Sequence, residues 1–367
     1  MNKTTYWAAA LGLAIAALCA QAAEPLDTPA RISARAQKSL LTGVALAGKR
    51  LVAVGERGIA VYSDDNGNNW TQAKVPVSVM LTALQFVTPA KGWAVGHDGA
   101  VLSTDDGGAT WKRRFDGMQA NKLMLEGARR AAEAARAAAG NATSGPAADA
   151  LSAAENALGD IEAAAKFGPS RPLLAVWFRN EQEGFVAGAY GQLFRTVDGG
   201  NTWESLATRT GNTDSLHYNA IAAGPANALM LAGEGGKVYR SADGGATWKV
   251  SDTGYKGHLY GVLAAGDALV AYGFGGNAFR STDNGATWQP LPRVVQRSLI
   301  GGAALPDGSL LLAAQDGRLL RSTDQGKTFA IAQTQGGEPV AGMALLDGGK
   351  AALAGAGGVR MVSTGGQ

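Results

Sequence analysis

Ser103-Thr104-Asp105-Asp106-Gly107-Gly108-Ala109-Thr110-Trp111 decides the architecture, because its pattern returns along the chain. Reduced to Ser/Thr-x-Asp-x-Gly-x-Thr-Trp, it first occurs at Ser63-Asp65-Gly67-Asn69-Trp70. It recurs at Thr196-Asp198-Gly200-Thr202-Trp203, Ser241-Asp243-Gly245-Thr247-Trp248 and Ser281-Asp283-Gly285-Thr287-Trp288, and in worn form at Ser322-Asp324-Gly326-Thr328-Phe329. A spacing of about 40 residues is that of a propeller blade. Each copy follows a short apolar strand (59–62, 100–102, 192–195, 238–240, 278–280, 318–321) and precedes a short polar one, so it is a hairpin turn. The Asp can accept hydrogen bonds from the turn's own N–H groups, and the Gly supplies a positive φ. The Trp, or Phe329, offers an apolar face to the neighbouring sheet. Residues repeated in every copy suit folding better than chemistry, which needs a site once.

This turn is the Asp-box, or BNR, repeat, which also occurs in sialidases, other glycosidases and sorting receptors. Upstream of each box an apolar strand runs into a Gly-x-x-Gly turn, as in Trp93-Ala94-Val95-Gly96-His97-Asp98-Gly99 and Val186-Ala187-Gly188-Ala189-Tyr190-Gly191. The stretch from Gly92-Trp93-Ala94-Val95-Gly96 to Thr110-Trp111 resembles the photosystem II stability/assembly factor family, including its bacterial relatives, over about residues 35–116 and 170–367. The resemblance implies a seven-bladed propeller without catalysis that helps membrane proteins assemble.

The expected fold is therefore all-β: a seven-bladed propeller with an α-helical hairpin inserted between blades 2 and 3. Ala351-Leu353-Ala354-Gly355 and Gly358-Val359-Arg360-Met361-Val362-Ser363 read as the middle strands of the seventh blade. Its outermost strand is expected from the stretch Pro29 to Lys38, which would leave no free sheet edge. The domains read as 1–22 signal peptide, 23–117 closing strand and blades 1–2, 118–168 hairpin and 169–367 blades 3–7. Lys3, the apolar run from Trp7 to Leu18 and Ala20-Gln21-Ala22 make a secretory signal. Leu18 stands where a lipobox wants a small residue, so Cys19 is not expected to carry lipid. A periplasmic or secreted monomer that does not span the membrane is expected after cleavage. Charges nearly balance at +3, which argues for no nucleic-acid partner.

Between the second and third boxes the spacing jumps to 92 residues. The Ala-rich excess reads as a basic helix from Gln119 to Ala139 and an acidic one from Ala147 to Lys166, started by Pro146 and paired antiparallel. It is either a partner-binding arm or lid, or a decorative loop. As a blade-to-blade crossover it should rise from the Gly-x-x-Gly face, opposite the boxes.

Function should live where repeats differ, and the non-repeating residues fall on that same face. His217 and His258 stand just before innermost strands, with Glu338 in the same slot and Arg171 and Arg297 one residue earlier. Tyr190, Glu234, Phe274 and Gln315 take turn positions corresponding to His97. Together they would ring the channel mouth as a partner-binding surface, or be ordinary polar surface. Arg195, Arg240, Arg280 and Arg321, each just before a box, would pair with box carboxylates or form a basic arc. No local spacing suggests a metal or a cofactor. Outside the boxes the acids Glu56, Asp98, Glu234, Asp316 and Glu338 are dispersed, so no carboxylate pair supports glycoside hydrolysis. The chain thus reads as a non-enzymatic assembly factor binding a membrane protein or its periplasmic domain. The alternatives are a permanent accessory subunit of an envelope transport or secretion system, and a glycan-binding protein or sialidase-like glycosidase.

Overall fold

The computed structural model describes residues 24–334 and 336–365; the expected signal peptide and Cys19 lie outside them. The described residues form seven antiparallel sheets, six of four strands and one of three, with two helices. The innermost strands are Leu41–Ala47, Leu81–Phe86, Leu173–Phe178, Tyr218–Ala223, Leu259–Ala265, Leu299–Ala304 and Val340–Leu346. Each packs on the next, and the seventh packs back on the first. The second strand of each sheet is a run of fully buried residues such as Trp93, Ala94 and Val95. It is covered on both faces by neighbouring sheets, which is why these strands read as continuous apolar runs rather than alternating ones.

The boxes set the outer turns. In the second sheet, the Thr104 hydroxyl donates to Asp106 Oδ1 at 2.8 Å and accepts from Gly108 N–H at 2.9 Å. The Asp106 carboxylate then accepts the Thr110 N–H (2.9 Å) and hydroxyl (2.6 Å). Gly108, at φ 86°, supplies the left-handed step. Trp111 Nε1 donates to Gly108 O at 3.0 Å, and its ring packs among residues of the first and second sheets.

The closing strand expected from Pro29 to Lys38 is not formed. That stretch instead wraps the junction of the first two sheets. Ala30 N–H donates to Val75 O at 3.0 Å, and Leu26 and Ala30 are buried among Val75, Val77 and Trp111. Only the short turn Ala36–Lys38 approaches the third strand of the seventh sheet, Gly358–Ser363. That sheet keeps three strands, and Leu41, Val44 and Ala53 pack on Ala352 and Ala354 to join first and last. Apolar face packing makes the junction where a strand ladder was expected.

The insertion forms α1 (Gly117–Ala139) and α2 (Pro146–Ala165) between the second and third sheets. Asp116 accepts the Met118 and Gln119 N–H groups while Gln119 returns a bond to Asp116 N–H, a capping box that starts α1 earlier than its apolar pattern does. Pro146 opens α2. Arg129 meets Glu162 at 3.2 Å and Arg136 meets Glu155 at 2.6 Å, so the complementary charges face each other as expected. Ala120 and Met124 of α1 sink into the core shared by Phe115, Leu173 and Phe194, whereas α2 buries no residue fully. The detour does not loosen the sheets it separates. Trp93 stacks on Phe178 at 3.6 Å and donates from Nε1 to Gly199 O at 3.1 Å.

Candidate functional site

Antiparallel strand order puts the Gly-x-x-Gly turns and the starts of the innermost strands at one end of the sheets, with the boxes at the other. Each turn forces a left-handed residue just before its last Gly: Arg57 (φ 54°), Asp98 (φ 55°) and Tyr190 (φ 56°) among the non-glycines. Tyr190 therefore matches Asp98, and Ala189 takes the place of His97, which corrects the register expected from sequence. Glu338 likewise precedes its strand, Val340–Leu346, by two residues. It shares the slot of Arg171 and Arg297 rather than that of His217 and His258.

Five of the ten expected residues come together across the third, fourth and fifth sheets. Glu234 Oε2 lies 2.8 Å from His217 Nδ1 and accepts the His217 N–H at 3.2 Å. Glu234 Oε1 lies 3.9 Å from His258 Nε2. The Tyr190 ring packs against the His217 ring at 4.8 Å, and the Arg171 guanidinium lies over Tyr190 at 5.2 Å. Burial pushes the Glu234 carboxyl up, but the His217 N–H and imidazole, with His258 beyond, hold it below its ordinary value. Burial pulls Arg171 down, so this cation is poorly hydrated and placed against an aromatic face. Tyr190 remains 50 % exposed at the surface of the group.

The other five stand apart. His97 is exposed, and its backbone N–H donates to Met80 O at 2.8 Å. Phe274 is 55 % exposed in the fifth sheet's turn. Arg297 and Glu338 are exposed near the sixth and seventh sheets, and Gln315 links them through its backbone to Ser298 O and Val340 N–H, both at 2.8 Å. Gln315, Asn219, Tyr260 and Ile300 line a cavity of about 300 Å³. Two further clefts, of about 360 and 560 Å³, open beside the seventh sheet at the opposite, box end. Among the described residues no three His, Cys, Asp or Glu side chains are grouped to hold a metal.

Among the described residues the expected pairing of periodic arginines with box carboxylates occurs at none of the four. Arg195 meets Glu183 at 2.9 Å, Arg280 donates to Gln325 O at 3.0 Å, and Arg321 meets Asp307. The box carboxylates are already filled by their own turns.

One set of residues was missed. In every innermost strand the register skips the second residue, placing a bulge at Thr42, Thr82, Leu174, Asn219, Tyr260, Ile300 and Ala341. The polar ones clasp the next sheet. Thr42 Oγ1 donates to Leu81 O at 2.5 Å, Thr82 Oγ1 to Leu173 O at 2.6 Å and Asn219 Nδ2 to Leu259 O at 3.0 Å. The signal was the shared position after the first strand residue, visible only once the strand starts are aligned.

Comparison with known proteins follows the same architecture. A family profile described as "Photosynthesis system II assembly factor YCF48" matches residues 62–126 and 165–296. The photosystem II stability/assembly factor HCF136 of Guillardia theta is 40% identical over 55 residues, 14% of this chain and 14% of that protein. The photosystem II assembly lipoprotein Ycf48 of Picosynechococcus sp. is 40% identical over 63 residues, 15% of this chain and 18% of its own. Each match thus spans less than a fifth of the relative's length. A solved structure titled "YCF48 bound to D1 peptide" superposes with a TM-score of 0.60 at 16% identity, over 89% of this chain and 94% of that one. At that identity the likeness concerns the fold. The profile covers more than half the chain, including five of the six boxes, the Gly-x-x-Gly turns at 96–99, 188–191, 233–236 and 273–276, and both flanks of the insertion, and it places the protein in the photosystem II assembly factor YCF48 family.

Proposed function

We propose that this chain is an exported, non-catalytic seven-bladed propeller that binds newly made subunits of a membrane protein complex and assists their assembly. The face carrying Arg171, Tyr190, His217, Glu234 and His258 is its contact surface. The observation that carries this reading is that these non-repeating residues converge from three sheets at one end of the molecule, half-exposed and mutually braced. A family member binds a D1 peptide, so capture of an extended segment of a membrane subunit is the corresponding role here. The cluster is poor for hydrolysis. Glu234 is engaged by two imidazoles, and general acid–base cleavage of a glycoside needs a second carboxylate facing the first.

The test is pulse-labelling followed by capture from membranes with tagged protein. Subunits labelled in the pulse should be enriched and should leave during the chase, and the double variant Arg171→Ala/Tyr190→Ala should capture at least about tenfold less, since truncating central contacts typically costs that much. Capture that persists undiminished through the chase would instead indicate a permanent subunit. Undiminished capture by the double variant would move the contact elsewhere.

A further inference from the structure

Six sheets place a buried apolar side chain at one position of the third strand: Val61, Leu102, Phe194, Tyr239, Phe279 and Leu320, none more than 7% exposed. Each pairs with the residue two before the end of the second strand. In the seventh sheet the same pairing, with Leu353, falls on Arg360. A cation thus occupies the place of a core plug.

Among the described residues Arg360 has no hydrogen-bond or ion-pair partner, and its Nε and Nη2 are buried. Two turns press on the guanidinium. A Cβ at Gly317 would collide with Nη2, and one at Gly337 with Nη1. These turns are joined by the Gly337 N–H donating to Asp316 O at 3.2 Å. Asp316, the residue before Gly317, is already committed to Arg318, with contacts of 2.7 and 3.0 Å to its guanidinium. Arg297 adds positive potential beside Asp316. A guanidinium with two of its three nitrogens buried and unpartnered is costly, and such an orphan in a folded protein calls for a group that satisfies it.

We infer that the junction of the sixth and seventh sheets is a binding site for a small oxyanion, held by Arg360 beneath the Gly317 and Gly337 turns. Arginine suits this because its planar fork matches two oxygens of a carboxylate, phosphate or sulfate. Nη1, the nitrogen not buried, gives the entry beside Gly337. The anion ties together two sheets at the point where the seventh lacks its fourth strand. The site is separate from the Arg171–Glu234 cluster and does not rest on the proposed function.

Thermal unfolding of the full protein tests it, with acetate, phosphate and sulfate each titrated against sodium chloride at matched ionic strength. The wild type should gain about 2 °C or more in Tm, saturably, from at least one oxyanion. Arg360→Leu, which restores the apolar plug of the other six sheets, should start higher than the anion-free wild type and should not respond. Arg360→Lys should respond more weakly. A response to acetate alone assigns a carboxylate, whereas one to phosphate or sulfate assigns a tetrahedral anion. Absence of any saturable rise in the wild type overturns the proposal, as does an equal rise in Arg360→Leu.

Discussion

Asp283 shows how a single box residue carries its turn. It accepts from the Thr287 hydroxyl at 2.5 Å, the Thr287 N–H at 2.9 Å and the Ser281 hydroxyl at 2.7 Å. Those donors, Thr287 first, hold its pKa at about 2 instead of the ordinary 3.8, and similar bonds take Asp65 and Asp243 to about 2. A carboxyl depressed on folding stabilises the fold above its unfolded pKa, and that contribution is lost as pH falls towards the folded value. Tm should therefore hold from neutrality to about pH 4 and decline between about pH 4 and 2. Asp283→Asn should lower Tm at pH 7 yet flatten that acid decline, as measured by calorimetry across the range. The clasp residues make a second prediction. Thr82→Val removes the bond to Leu173 O and leaves that carbonyl without this donor, so chemical denaturation should show a loss of about 1 to 3 kcal/mol. The box residues were legible because the motif repeats them. The clasp was not, because Thr42, Thr82 and Asn219 alternate with Leu174, Tyr260, Ile300 and Ala341 at the same position, and a mixed column carries no compositional signal.

At the scale of elements, the two helices were readable from Ala-rich periodicity, Pro146 and opposed charge. Their docking was not. α1 is anchored because Met124 is buried beside Phe115 and Phe194, and Ser205 Oγ lies 3.6 Å from its sulfur. Met124→Ala should cost about 2 to 5 kcal/mol in denaturant unfolding. Glu155→Ala breaks only an exposed pair with Arg136 and should cost less than about 1 kcal/mol. A large effect of the second and none of the first would mean that α2, not α1, holds the hairpin. The stretch from Pro29 to Lys38 misled for a related reason. Its few apolar residues suit either a paired strand or a wrapped segment, and only the pocket around Val75 and Trp111 selects the wrap.

For the whole molecule, the chain of packed sheets returns to its start through apolar faces alone, with the seventh sheet short of a strand. The repeat made this arrangement visible from spacing, including the unboxed last sheet. The candidate site was half visible: strand counting put its residues at the Gly-x-x-Gly end, but which of them meet depended on turn register. The left-handed backbone at Tyr190 turns its ring towards His217, and Glu234 can bridge two imidazoles only because successive strand starts present them side by side. The central claim is that this face, and not the box face, meets the partner. Its most direct test is photo-crosslinking in cells, with a photoreactive amino acid placed at Tyr190 in one strain and at Thr287, in a box turn, in another. Adducts with newly synthesised membrane protein should form from Tyr190 and be at background from Thr287; equal yields, or adducts from Thr287 alone, would contradict it.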